Sequence, residues 1–263
     1  MRSGYNPSRR NRKIGTAAHG YGQDNELVIP SLLHGERRWA ETLKSFKAVT
    51  ESVSGRKVTF IVENPSPGSD HCCSILDVCH VLKHIPFDDW HGLTTFVFRQ
   101  PTRKQRIIAP VWGRLFYSAD FGSLNRNLPL AGPTIILEAV RAGETFKWGK
   151  GLRPQDAHEL ERLRSDGHGI VSSARQHLIT TTAESVRSTQ LFRTLLHEIG
   201  HWVDFLAKVE RAKGDYGELI DQYFARPHDE REAFAHRYAD ETFLKLFKSG
   251  IFPFDPIQDW DEP

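Results

Sequence analysis

The sequence predicts an α+β fold, with a sheet-bearing N-terminal part followed by a helical C-terminal part. Three observations predict it. Runs rich in β-branched and aromatic residues, bounded by Gly, Pro, Asn or Asp, all fall before residue 183. The remainder is dominated by apolar residues spaced three and four apart. Strands and helices are segregated rather than regularly alternating, which argues against a doubly wound parallel fold and for a mixed sheet.

The elements follow in chain order. Residues 1–25 are rich in Gly, Asn, Ser and Arg and have no hydrophobic period, so they read as a flexible tail. Residues 26–263 read as a single domain, with the sheet in 26–187 and the helices in 188–263. A helix is expected over 32–53, with Leu33, Trp39, Leu43 and Phe46 among its apolar positions. Strands are expected at VTFIVEN (58–64), TTFVFRQ (94–100), RIIAPVWGRLFYS (106–118) and TIILEAV (134–140). SILDVCHVLKHI, between the first two, reads as a short helix. PQDAHELERLRSDGH reads as a helix with Pro154 at its start and Gly167 past its end. HLITTT (177–182) is the last expected strand. A long helix is expected over 188–212 and another over 228–248, preceded by Pro227 and closed by Gly250.

Composition narrows the function classes. A chain of 263 residues is long enough to bury a substantial core. No apolar run reaches the length of a membrane span. The start is basic but precedes no apolar stretch, so a secretory signal peptide is not expected. The three cysteines, Cys72, Cys73 and Cys79, are clustered and odd in number, which suits a reducing compartment better than a disulfide framework. With His80 they match no usual zinc spacing and read as small buried hydrophobes. The location expected is the cytoplasm, or that of a secreted effector lacking a classical signal. Net charge is +2, so no strong overall field points at nucleic acid. The basicity is local: Arg2, Arg9, Arg10, Arg12 and Lys13 precede Asp24 with no acid among them. That arm is the one feature that would serve a nucleic-acid partner, although a solvated arm is preferred.

The stretch that carries chemistry is LLHEIGHWVDF, 195–205. Phe192, Leu195, Leu196, Ile199, Val203 and Leu206 form one apolar helical face. His197 and His201 are four apart, so their rings stack one turn apart on a single side. Tetrahedral Zn²⁺ accepts two imidazole nitrogens so placed. Glu198 is rotated by about 100° around the helix, beside the open coordination position, where it can act as general base. Gly200 in mid-helix costs about 1 kcal/mol relative to Ala and asks for a close approach by another element.

A third ligand is needed. The metzincin pattern would place it at residue 207, which is Ala207, and no aspzincin pattern is present. A glutamate on a following helix remains, and HDEREAFAHRYAD offers Glu232, with Glu230 as its rival. The two fall nearly opposite on a helix, so only one can bind. A His₂Glu site leaves a position for water, as catalytic zinc sites do.

HEIGHWVD followed by EAFA resembles the gluzincin metallopeptidases, most of all the group of the anthrax lethal factor protease domain and the Pro-Pro endopeptidases. EREAFA is also similar to the third-ligand segment of the ImmA/IrrE-like peptidases, without that segment's usual Leu-Leu-Met-Pro ending. The likeness is confined to about 45 residues. It implies a zincin-like fold, in which an active-site helix and a C-terminal helical subdomain follow the sheet. It implies one catalytic Zn²⁺ held by His197, His201 and Glu232, with Glu198 as general base. Asp204 falls on the motif's aspartate and would orient a ligand from behind. The group's oxyanion tyrosine, seven residues before the ligand Glu, is here Ala225. Tyr223 and His228 are the substitutes, and Tyr216 a more distant one. His236 stands four residues after Glu232, where those families often carry an acid, and is a second outer residue.

The expected activity is therefore hydrolysis of a protein or peptide substrate laid against an edge strand. That edge is either HLITTT or the 116–120 segment. The alternative expectations are a zinc-binding but inert interaction module, and a nucleic-acid-associated protein that uses its basic arm.

Overall fold

In the computed structural model, the described residues are 43–257, apart from 103–104, 107–110, 124–128 and 153. The expected tail at 1–25 and the basic arm lie outside them.

Two strands open the described chain: β1 (Phe46–Val53) and β2 (Arg56–Glu63). Their antiparallel register, Val53 opposite Arg56, leaves a two-residue turn of Ser54 and Gly55. Both turn residues have positive φ, 49° and 77°, the conformation that matches the twist of a tight hairpin. This corrects the helix expected over 32–53. Its C-terminal half is β1, because the turn lets Val49, Thr50 and Val53 pair with β2, and that pairing overrides the weak helical period. Residues 32–42 lie outside the described residues.

Helix α1 (Ile75–His84) follows, opened by a capping box between Ser74 and Asp77. A single turn, α2 (Phe87–Trp90), leads into β3 (Thr95–Arg99). Then come β4 (Gly113–Ser123) and β5 (Pro129–Glu138). Arg106 is helical and the strand expected from it begins only at Gly113. Gly113 is required there: a Cβ would meet the Ile136 carbonyl oxygen at 2.7 Å.

These five strands form one mixed sheet in the order β1-β2-β3-β5-β4. β2, β3 and β5 run parallel. β4 lies at one edge, antiparallel to β5, with its register broken between Phe116 and Ala119. β3 is buried at every position. Successive residues alternate between two cores, as the strand period requires. Phe60, Phe96, Phe98, Ile135 and Leu137 face the main core, while Ile61, Val97 and Ile136 face a smaller one with Ala119 and Phe121.

A second sheet contains β6 (Thr145–Gly149), β7 (Gly169–Ser172) and β8 (Gln176–Thr180), in the order β6-β8-β7 and antiparallel throughout. Helix α3 (Pro154–Ser165) connects its first two strands. HLITTT is thus the centre of this sheet and cannot be a substrate edge, because both of its sides are already paired.

A helical rod then runs from Ala183 to Glu210. It comprises α4 (Ala183–Thr189), a π-helical segment (Gln190–Thr194), α5 (Leu195–Phe205) and a second π-helical segment (Leu206–Glu210). Thr182 and Ser185 form its capping box. Leu191, Leu195, Leu196, Ile199 and Trp202 pack it into the main core. α6 (Tyr216–Ala225), absent from the elements expected above, leads into α7 (His228–Lys248). Among the described residues no helix is long and apolar enough to cross a membrane. Cys73 and Cys79 are core residues, as expected of small hydrophobes, whereas Cys72 is only half-buried and burial pushes its thiol up to about 11.

α5 meets α7 where both carry small residues. A Cβ on Gly200 would lie 3.0 Å from both the Cα and the carbonyl oxygen of Ala235, and 3.1 Å from Tyr238 Cβ. Those atoms are mostly helix backbone and have little freedom to yield. Gly200→Ala is therefore expected to destabilise the fold by about 1 kcal/mol or more, despite the better helix propensity of Ala. The reading is a lower urea midpoint; an unchanged or raised midpoint would contradict the close-contact account.

Candidate metal centre

His197, Glu198 and His201 project from α5, and Glu232 from α7. His197 Nε2 and His201 Nε2 are 3.1 Å apart. Glu232 Oε2 is 3.3 Å from His197 Nε2, and its Oε1 is 3.3 Å from His201 Nε2. The two ring nitrogens and the two carboxylate oxygens thus form a compact cluster in which each nitrogen faces a different oxygen. Tetrahedral zinc with bonds of about 2.0–2.1 Å spaces its ligand atoms about 3.3 Å apart, close to each of these separations. Two imidazole nitrogens facing each other at this distance also call for a shared cation or proton, since two lone pairs repel. The donor set and its spacing fit zinc.

Of the two candidate glutamates, Glu232 is the one against the histidines. Glu230 is 59 % exposed and lies 3.6 Å from Arg226. Burial opposes ionisation of Glu232, but its hydrogen bonds to the two histidines outweigh that and hold its carboxyl far below the usual range.

Glu198 is buried, and burial pushes its pKa up, while His197 and His201 pull it back. Its Oε2 accepts a hydrogen bond of 2.8 Å from the Leu115 backbone N–H. That donor lies on the edge strand β4, so the strand edge fixes the carboxylate beside the ligand pair. No sequence signal announces this bond, because the donor is backbone.

The remaining expected residues are distributed as follows. His228 is exposed at the rim, its Nε2 3.3 Å from Glu232 Oε1. Tyr223 is only 2 % exposed. Its hydroxyl is 3.1 Å from the Tyr117 hydroxyl and donates to the His201 carbonyl oxygen at 3.4 Å. It therefore backs the ligand helix and does not face the open side. Tyr216 is exposed and bonds Glu210.

Asp204 is fully buried but does not reach a ligand nitrogen. Its Oδ2 accepts from Arg226 at 2.6 Å, and its Oδ1 is 3.5 Å from Lys208 Nζ. Among the described residues, the Nδ1 atoms of His197 and His201 have no hydrogen-bond partner. Asp204 thus ties α5 to the junction of α6 and α7 instead of orienting a ring. His236 packs its ring against that of His197, with centroids 4.4 Å apart. Its Nδ1 is 3.2 Å from Arg162 Nη1. Because guanidinium only donates, Nδ1 is the acceptor and the ring proton sits on Nε2. Burial, then His197 and Arg162, lower the pKa of His236 to about 4. Ligand atoms of His197, Glu232 and His236 lie within 4.8 Å of one another.

Comparison of the chain with protein-family models, curated proteins and solved structures finds no match.

The raised pKa of Glu198 makes a prediction with a definite sign. A carboxyl raised in the folded state contributes stability that is present below its unfolded pKa and lost as pH rises through the folded one. Glu198→Gln in metal-free protein should therefore raise the thermal midpoint near neutral pH. The gain should vanish below about pH 4. A midpoint unchanged at neutral pH, or lowered, would contradict the desolvation account.

Proposed function

We propose that the protein is a zinc-dependent endopeptidase. The observation that carries the reading is the cluster of His197, His201 and Glu232, whose facing nitrogen and oxygen atoms lie 3.1–3.3 Å apart, with the buried carboxylate of Glu198 beside it. The motif likeness to gluzincins supports the same ligand set. Zinc in this position supplies a Lewis acid and lowers the pKa of water towards about 7.

The chain's own residues do the rest. Glu198, held by the Leu115 N–H, accepts the proton of the attacking water and passes it to the leaving amine. The substrate lies extended along β4, one of the two edge strands of the mixed sheet among the described residues. Its break in register at Tyr117 and Ser118 falls next to the site, where such bulges re-aim a strand. His228, exposed and 3.3 Å from Glu232, donates to the carbonyl oxygen as negative charge develops there.

A second reading rests on a specific observation. Among the described residues, neither His197 Nδ1 nor His201 Nδ1 has the outer hydrogen-bond partner that tunes zinc-binding histidines, and its loss lowers metal affinity or activity, which favours a zinc-binding module with little or no turnover. One experiment separates the two. Elemental mass spectrometry should find about one zinc per chain in the wild type and much less in Glu232→Ala. Glu198→Gln should keep its zinc and lose peptide cleavage by about 10²–10⁴-fold. Zinc with no cleavage of any unfolded protein would favour the inert module. Absence of zinc after reconstitution would reject both.

A further inference from the structure

Arg231 immediately precedes the ligand Glu232 on α7, and nothing derived above uses it. Its guanidinium lies over the rings of Tyr223 and Phe224, 5.7 and 5.6 Å from their centroids. Its Nε is buried without a hydrogen-bond partner. Among the described residues no carboxylate forms an ion pair with it. The other arginines around the site are committed: Arg162 lies 3.8 Å from Asp240, Arg193 pairs with Glu159 and Asp166, and Arg226 with Asp204. A half-buried guanidinium held only by ring faces has its fork of donors unused, and that fork matches a carboxylate.

The cradle adjoins the edge strand. Tyr117 packs on Phe224 and Tyr223, with centroids 5.2 and 5.8 Å apart. Leu115 and Tyr117 share the face of β4 that packs against the main core. The Leu115 N–H holds Glu198, and Tyr117 lies about 7 Å further along the strand. Phe224 is 44 % exposed, so the cradle is open to solvent. A peptide laid along β4 with its scissile bond at Glu198 would carry a neighbouring residue past Arg231.

We infer that Arg231 is a specificity-determining residue that receives a substrate carboxylate close to the scissile bond. This rests on the peptidase reading above. The carboxylate belongs either to an Asp or Glu side chain or to the substrate's C-terminus.

The test uses the zinc-loaded full chain and a proteome-derived peptide library, in free-acid and C-terminally amidated forms. Cleavage products identified by mass spectrometry should show about tenfold enrichment of a carboxylate at one position, a factor equivalent to about 1.4 kcal/mol. Enrichment that survives amidation assigns a side chain, and enrichment lost on amidation assigns the terminus; either supports the subsite. Arg231→Gln should abolish the preference, and Arg231→Glu should turn it towards Lys or Arg. Cleavage without acid preference, or with the same preference in Arg231→Gln, overturns the inference. A binding arm separates this from failure of the peptidase reading. The same libraries are passed over immobilised, zinc-loaded Glu198→Gln and Glu198→Gln/Arg231→Gln, whose zinc contents are checked to be equal. Acidic peptides should be retained by the first and not the second. Equal retention overturns the subsite whatever the cleavage result. Selective retention with no cleavage by the wild type upholds the subsite and overturns the peptidase reading.

Discussion

The close approach of α5 to α7 at Gly200 and Ala235 is the constraint on which the site depends. The histidines stand on one helix and the glutamate on the other. The spacing of the two rings from the Glu232 carboxylate is therefore the one that the helix separation allows. Gly200 lies between the two histidines in sequence, and Ala235 one turn beyond Glu232, so the contact point sits beside the ligands. A glutamate side chain is short and its carboxylate must arrive with both oxygens facing the rings. Helices held at the usual 8–10 Å by larger side chains would leave that carboxylate out of reach. The smallest residue on one helix and the next smallest on the other are a condition for a His₂Glu arrangement on this backbone.

Buried and half-buried charges then fix α5 and its approach at both ends. Arg193, in the π-helical segment before it, reaches Glu159 and Asp166. Asp166 in turn accepts from Thr189, which contacts His168. Upstream, Arg187 makes a two-point contact with Asp77, and Asp77 also accepts from the Ile257 backbone N–H. Near the other end, Asp204 meets Arg226. Buried ion pairs add little net stability once desolvation is counted. They do set direction, since each pair tolerates few geometries. The rod is thus seated by apolar contacts and aimed by charged ones.

Much of this was legible in the sequence. The α+β order, α1, α3, α7 and the strands β2, β3 and β5 follow from period and punctuation. His197, Glu198 and His201 follow from spacing on one helix, and Glu232 from the need for a third donor on a later one. What was not legible depended on partners far away in the chain. β1 reads as helix until the Ser54–Gly55 turn supplies a partner strand. HLITTT has the composition of any strand, and only the pairing of β6 and β7 on either side makes it central. Tyr223 has the right residue type for an oxyanion role, yet the path of α6 turns its hydroxyl to Tyr117 and the back of α5. Asp204 matches a motif position, but a residue 22 places later, Arg226, claims its carboxylate. The Leu115 N–H could not be anticipated at all, since every residue has one.

The two π-helical segments that bracket α5 have a consequence for the angular setting of the ligands. A π turn holds more residues than an α turn, so each segment changes the azimuth of everything beyond it. With one on either side, α5 behaves like a sleeve whose rotation is set independently of the rod's ends. Gln190, at the first segment, stays anchored to the carbonyl oxygens of Trp112 and Glu138. Reversion of the first segment to α-helical winding, with that anchor and the chain length unchanged, would swing His197 and His201 away from Glu232 and leave the core contacts upstream where they are. The aim of the site and the attachment of its helix are therefore separable properties of the chain.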